Sequence, residues 1–286
     1  MPELPEVETT RRGIQPFIEN QSITKMVVRH RGLRWPIPEG LESIVKDQRV
    51  NSIERRAKYL LLHCDNGTLI IHLGMSGRLR VLDNDDHINK HDHVDIFFDN
   101  GYVLRFTDTR RFGAILWTNE PYEQHALISH LGPEPLSEQF DVNYLHQRAK
   151  GRTSPIKTFI MNGEVVVGVG NIYANEALFM AGIHPSTPVG KISKKNLSRL
   201  VEAIKQVLEK ALLAGGTTLR DFRKSDGNPG YFSLRTARRM LHHNGTITLT
   251  IFKCQHLLNK VMFIESGKTR RSALTVAIGT MTRCTR

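Results

Sequence analysis

The chain has 286 residues, 40% of them hydrophobic, which is enough for about two domains with cores of their own. Its 40 Lys and Arg against 28 Asp and Glu leave a net charge of +12, so a polyanionic partner is expected, nucleic acid ahead of a membrane surface. The three cysteines, Cys64, Cys254 and Cys284, form no Cys-x-x-Cys pair, which argues against a disulfide scaffold and fits a reducing compartment. An acidic amino terminus is no signal peptide, and no apolar run approaches the about 20 residues of a membrane span. The expectation is a cytoplasmic protein with no membrane partner.

In chain order, Leu4, Val7, Ile14 and Ile18 share one face of a helix running to about Ile18. Short β-type runs follow over Ile23–Arg29, Lys58–His63, Thr68–Leu73, Arg78–Leu82, His93–Phe98, Tyr102–Thr107 and Ala114–Trp117. Asn66-Gly67 and Asn100-Gly101 separate consecutive runs and predict hairpins, so an antiparallel sandwich or barrel is expected. Gly132-Pro133-Glu134-Pro135 marks a boundary, beyond which the pattern is helical. Ser193 is an N-cap for a long helix whose Leu197, Leu200, Val201, Ile204, Leu208 and Leu212 share a face, with Gly215 ending it. The predicted fold class is α+β: a β-rich domain over residues 1–131, a helical domain over 132–232, and a tail over 233–286.

The chemistry-bearing stretch is Pro2-Glu3-Leu4-Pro5-Glu6-Val7-Glu8-Thr9. From spacing alone it is an ordinary helix start, because prolines and acids suit the unpaired first amides. If Met1 is trimmed, however, Pro2 carries a free secondary amine, and a chain-terminal amine titrates near about 7.7–8.0. Such an amine beside the Glu3 carboxyl can attack a sugar C1′ and expel a base. Further segments read two ways. Ile53–Leu62 starts basic and becomes apolar, as a strand with an exposed start would. His72-Leu73-Gly74-Met75-Ser76-Gly77 puts Met75 on a turn, and Thr109-Arg110-Arg111-Phe112-Gly113 groups cations with an aromatic that composition alone would assign to a core. His91-x-His93 reads as the start of a strand and lacks further metal ligands. Arg152 and Lys157 flank Thr153–Ile156 as a basic surface. Val167-Gly168-Val169-Gly170-Asn171-Ile172-Tyr173 places glycines before a helix start, where free amides bind an anion.

Taken together, Pro2–Thr9 followed by Arg11-Arg12-Gly13, and the segments just quoted, resemble bacterial formamidopyrimidine-DNA glycosylases from Pro2 to about Phe232. The resemblance implies a bifunctional DNA glycosylase and AP lyase of base-excision repair that removes oxidised purines (8-oxoguanine, formamidopyrimidines) from double-stranded DNA. It implies Pro2 as Schiff-base nucleophile, Glu3 as catalytic acid and Lys58 as the essential lysine near the phosphate and damaged sugar. Met75, Arg110 and Phe112 would fill the hole left by the flipped nucleotide. His91, Arg152, Lys157 and Asn171 would contact DNA, and the glycine-rich stretch 215–232 would cover the everted lesion. The chemistry would need no cofactor, and the protein would act as a bacterial, nucleoid-associated monomer.

The tail departs from that pattern. The family's usual structural zinc is held by two Cys-x-x-Cys pairs on a finger whose Arg enters DNA, and those ligands are not present. Leu241 and Asn244 stand where Cys is needed, and a site made of His242, His243, Cys254 and Cys284 is the lesser reading. Either a zincless hairpin carries the finger arginine, Arg270 or Arg271, or the carboxyl terminus is disrupted. The alternatives in function are a non-catalytic DNA-binding homologue and an endonuclease VIII-like glycosylase for oxidised pyrimidines, whose typical Pro-Glu-Gly-Pro-Glu opening is broken here by Leu4.

Overall fold

A computed structural model of the chain describes residues 2–83 and 87–216. The first helix, α1 (Leu4–Ile18), buries Leu4, Val7, Ile14 and Ile18, the face expected from the sequence, together with the polar Glu6 and Thr10. Its first turn carries Pro5, whose missing N–H costs nothing there. Asn20, in the left-handed region at φ 63°, turns the chain out of the helix and donates its N–H to the Val50 carbonyl at 2.6 Å.

Eight strands build two four-stranded sheets: β1 (Ile23–Val28), β2 (Val50–Arg56), β3 (Tyr59–Cys64), β4 (Gly67–His72), β5 (Arg78–Leu82), β6 (Asp92–Phe98), β7 (Val103–Thr107) and β8 (Ala114–Thr118). The sheet orders are β1-β6-β7-β5 and β2-β3-β4-β8, with every neighbouring pair antiparallel. A short helix, α2 (Leu41–Val45), lies between β1 and β2 in the chain. The inner faces meet in one core, with Ile53, Leu60, Leu62, Leu69, Ile71, Val94, Ile96, Leu104, Phe106 and Ile115 all buried. This is the expected α+β sandwich.

Two local readings are corrected. The basic-to-apolar run Ile53–Leu62 is not one strand. It folds back at Ala57, pairing Arg56 with Tyr59 as the closing pair of β2 and β3. Ala57 adopts φ 56°, so the turn carries none of the Gly, Asn or Pro signals that mark such turns. Gly67 is not the turn residue of the β3–β4 hairpin either, since it already pairs with Cys64 inside the ladder. A Cβ there would sit 2.4 Å from the Thr118 carbonyl oxygen and 2.6 Å from the Trp117 ring, so this glycine serves close approach to β8.

Beyond the sandwich the chain is helical, as expected: α3 (Val142–Ala149), α4 (Ile156–Met161), α5 (Asn171–Ala181) and α6 (Lys194–Leu213). Ser193 caps α6, its hydroxyl accepting the Asn196 N–H at 3.3 Å. Leu197, Leu200, Val201, Ile204, Val207 and Leu208 turn inward to a second core that also holds Phe140, Phe159 and Tyr173. Gly215 and Gly216 close the helix at φ 73° and 82°, with the Gly216 N–H reaching the Ala211 carbonyl at 2.8 Å. Among the described residues no helix is long and apolar enough to cross a membrane. The stretch from 217 through the tail, including Arg270 and Arg271, lies outside the described residues.

Leu200 is fully buried in the second core. Leu200→Ala therefore lowers unfolding stability by about 2–5 kcal/mol, read from urea denaturation.

Candidate active site

Two buried carboxylates open the site. Glu3, 1% exposed, extends from the head of α1 to the first turn of α5. Its carboxylate accepts N–H groups from Gly170 at 2.8 Å, Ile172 at 2.9 Å and Tyr173 at 3.3 Å. A helix start leaves such amides without partners, and an anion suits its dipole. Close approach is possible because residue 170 has no side chain: a Cβ there would lie 2.3 Å from Glu3 Cδ. Glu6, fully buried, accepts the Tyr173 hydroxyl at 2.6 Å and the Glu3 backbone N–H at 2.9 Å. Leu4 N–H donates to the Gly168 carbonyl at 3.1 Å. The head of α1, with the buried Pro2 just before it, is thus fixed to α5 by side chain and backbone together.

Burial pushes the Glu3 carboxyl above its ordinary range. The Lys58 ammonium and the α5 amides pull the other way, but loss of water outweighs them. Lys58 is held below its ordinary range, again by burial, with Glu3 and Glu6 opposing. Each group is moved toward its neutral form, and each is close enough to feel the other.

Lys58 sits on the β2–β3 turn, and Glu134 from the boundary segment holds that turn. The Glu134 carboxylate accepts the Ala57 N–H at 2.7 Å, Arg55 at 2.8 Å and Arg56 at 3.0 Å. Arg56 also donates to the carbonyls of Leu131 and Gly132. A left-handed alanine is uncommon, and it persists here because its neighbours over-determine it.

The residues expected to meet phosphate lie on the helical side. Asn171 is exposed at the first position of α5. Lys157, in α4, is half-buried; burial lowers its pKa, and Glu3 opposes that. Arg152 is exposed, its guanidinium carbon 5.7 Å from the Phe159 ring centre. Pro2, Glu3, Lys58, Lys157 and Asn171 therefore surround one place, with Arg152 close by along the chain.

Two loops stand together on the sandwich. Met75 is 36% and Phe112 45% exposed, so Phe112 is not the core residue that composition alone favours. Arg110 reaches the Met75 sulfur at 3.9 Å. Gly74, at φ 63°, leaves no room for a Cβ, which would lie 2.4 Å from the Phe112 carbonyl carbon. His91 precedes β6, while His93 is buried with Nε2 2.7 Å from the Asp108 carbonyl oxygen. His72 accepts the Gly74 N–H at Nδ1, and burial pushes its pKa down to about 4.

The pattern of the β-sandwich opened by an acidic helix, joined to helices by a glycine turn, matches two family models. Residues 1–115 match the formamidopyrimidine-DNA glycosylase N-terminal domain, and residues 131–223 match the formamidopyrimidine-DNA glycosylase H2TH domain. The chain belongs to the formamidopyrimidine-DNA glycosylase family. Like the others of that family, it is an enzyme. It is 51% identical over 262 residues to the formamidopyrimidine-DNA glycosylase of Hydrogenovibrio crunogenus, covering 92% of each chain, so that likeness runs past Phe232 into the tail. A Lactococcus lactis Fpg complexed with abasic-site DNA is similar at TM-score 0.74 and 30% identity, covering 79% of this chain and 84% of that one. A substituted Lactococcus lactis Fpg with DNA containing Fapy-dG matches at TM-score 0.74 and 30% identity, over 80% and 84%.

The two Cys-x-x-Cys pairs expected to hold a structural zinc are not in the sequence. Three cysteines cannot make two Cys-x-x-Cys pairs, and Cys64 is buried in the sandwich with its thiol pushed up to about 12. His242, His243, Cys254 and Cys284 lie outside the described residues. Sequence reading overlooked Glu6, Tyr173, Asp108 and Glu134 as parts of the site. Only Glu6 carried a local signal, the three-residue spacing from Glu3 that marks a capping box.

Gly170→Ala drives a methyl group into Glu3 and lowers stability by about 2 kcal/mol. Glu3→Ala in that background relieves the collision, so thermal denaturation of both singles and the double shows costs that do not add.

Proposed function

We propose that this enzyme is a bifunctional DNA glycosylase and AP lyase that excises oxidised purines from duplex DNA through a Schiff base on Pro2. The observation that carries the reading is the buried Glu3 carboxyl, held by the α5 amides beside Pro2 and within the field of Lys58, with Asn171 exposed at the start of that helix. A relative's complexes with Fapy-dG and abasic-site DNA support the substrate class. A net charge of +12 suits a phosphate backbone, and excision should weaken as salt rises.

The reaction starts with the nucleotide flipped out and Met75, Arg110 and Phe112 in its place. With Met1 removed, the Pro2 nitrogen donates its lone pair to C1′ as the C1′–base bond breaks, the pair of that bond leaving with the base, which takes up the proton that the substituted Pro2 nitrogen sheds. The Glu3 carboxyl protonates the sugar O4′ as the C1′–O4′ bond opens, giving the iminium. The iminium draws electrons from C2′, so loss of a C2′ proton expels the 3′ phosphate. A second elimination expels the 5′ phosphate, and water then releases Pro2. Lys58 binds the backbone phosphate and assists proton transfer, while His91, Arg152, Lys157 and Asn171 hold flanking phosphates. Where the tail forms a zincless hairpin, Arg270 or Arg271 is the arginine aiding the second elimination; a disrupted tail would supply none.

Borohydride trapping on duplex DNA holding 8-oxoguanine opposite cytosine tests this. A covalent adduct forms with the wild type, weakens in Pro2→Gly, whose terminal glycine still offers an amine, and falls at least tenfold in Glu3→Gln. Duplex binding with no adduct would instead identify a non-catalytic homologue.

The raised Glu3 carboxyl keeps its proton to higher pH than an ordinary glutamate and loses it as pH rises. Base excision therefore declines on the alkaline side of its single-turnover profile, and Glu3→Gln removes that decline along with most of the rate.

A further inference from the structure

Asp108 ends β7's extension at the foot of the loops that carry the wedge residues, and it is fully buried. Three segments meet on this one residue. Its carboxylate accepts the Ser76 hydroxyl at 2.6 Å, from the turn that bears Met75. It accepts the backbone N–H of Gly113 at 2.9 Å and of Arg110 at 3.2 Å, which bracket Phe112. Its own N–H donates to the His91 carbonyl at 3.0 Å. Its carbonyl lies 2.7 Å from His93 Nε2, and Ser76 Oγ also accepts the Arg110 N–H at 3.1 Å.

The loop between these contacts is held against its preference. Arg111 takes φ 58°, which bulky side chains rarely adopt, and its guanidinium donates to His30 Nε2 at 2.9 Å. Segments exposing Met75, Arg110 and Phe112 to water have little apolar packing of their own to fix them, so the buried polar centre supplies the order.

We propose that the Asp108 carboxylate is a positioning group that locks the Met75 turn and the Arg110–Phe112 turn into one preformed wedge, so that its loss impairs nucleotide eversion rather than the chemistry at Pro2. This rests on the function proposed above. Eversion matters most where a stacked base must be extracted; an abasic site has no base to extract. Asp108→Asn keeps the size of the side chain but presents an amide to N–H donors. Ser76→Ala removes one spoke and leaves the rest.

The test uses the full chain and three readouts. The first is single-turnover excision of 8-oxoguanine opposite cytosine. The second is strand cleavage at a preformed abasic site. The third is fluorescence of 2-aminopurine placed beside a non-cleavable tetrahydrofuran site, which reports wedge insertion without chemistry. Asp108→Asn is expected to slow excision at least tenfold, abasic cleavage less than threefold, and to cut the fluorescence change by at least half. Ser76→Ala follows in the same order with smaller effects. Equal losses in excision and abasic cleavage, or an unchanged fluorescence response, would overturn the proposal. A wild type that inserts its wedge but cleaves neither substrate would defeat the proposed chemistry, and the fluorescence comparison would still decide the role of Asp108.

Discussion

The acid at the heart of the site depends on a single contact between distant parts of the chain. Glu3 lies 167 residues from the Gly170 amide that it holds. The carboxylate gains three N–H donors and loses nearly all its water, and the second effect is the larger. A carboxyl so placed is ordered by hydrogen bonds yet remains a better proton donor near neutrality than one in solvent. The glycine turn before α5, the buried Tyr173–Glu6 pair and the fixed head of α1 all serve that contact.

The same economy governs Lys58. Its position follows from a two-residue turn at Ala57 and Lys58, and the turn from Glu134, which brings a boundary segment against β2. Glu134 faces Arg55, Arg56 and a backbone amide at once, so its charge is matched where it is partly removed from water. The lysine itself needs no direct partner to be placed, and its head is left to answer the field of Glu3 and Glu6.

Periodicity revealed the elements whose signals are local. The face of α1, the cap and apolar stripe of α6 and seven of the eight strands are written in neighbouring residues, and their bounds lie within a few positions of those expected, whereas β2 was not among the expected runs. The break at Ala57 was not legible, because its cause is Glu134, far along the chain. Gly67 was legible as a glycine but not for its reason, which lies in Trp117 and Thr118 on another strand. The roles of Pro2, Glu3 and Lys58 are expectations from resemblance. Spacing alone would have left Glu3 as a helix opener and Phe112 as core, and only the assembled fold shows one buried against amides and the other facing solvent.

The distance between Glu3 and α5 also orders events in time. During synthesis the residues around Glu3 leave the ribosome long before α5 does, and the last needed to complete the carboxyl's surroundings is Tyr173. Until that residue emerges and packs, the amino terminus is an ordinary helix start with a solvated carboxylate. The Glu3 carboxyl therefore reaches its buried, amide-bound state only when the first turn of α5 joins the head of α1.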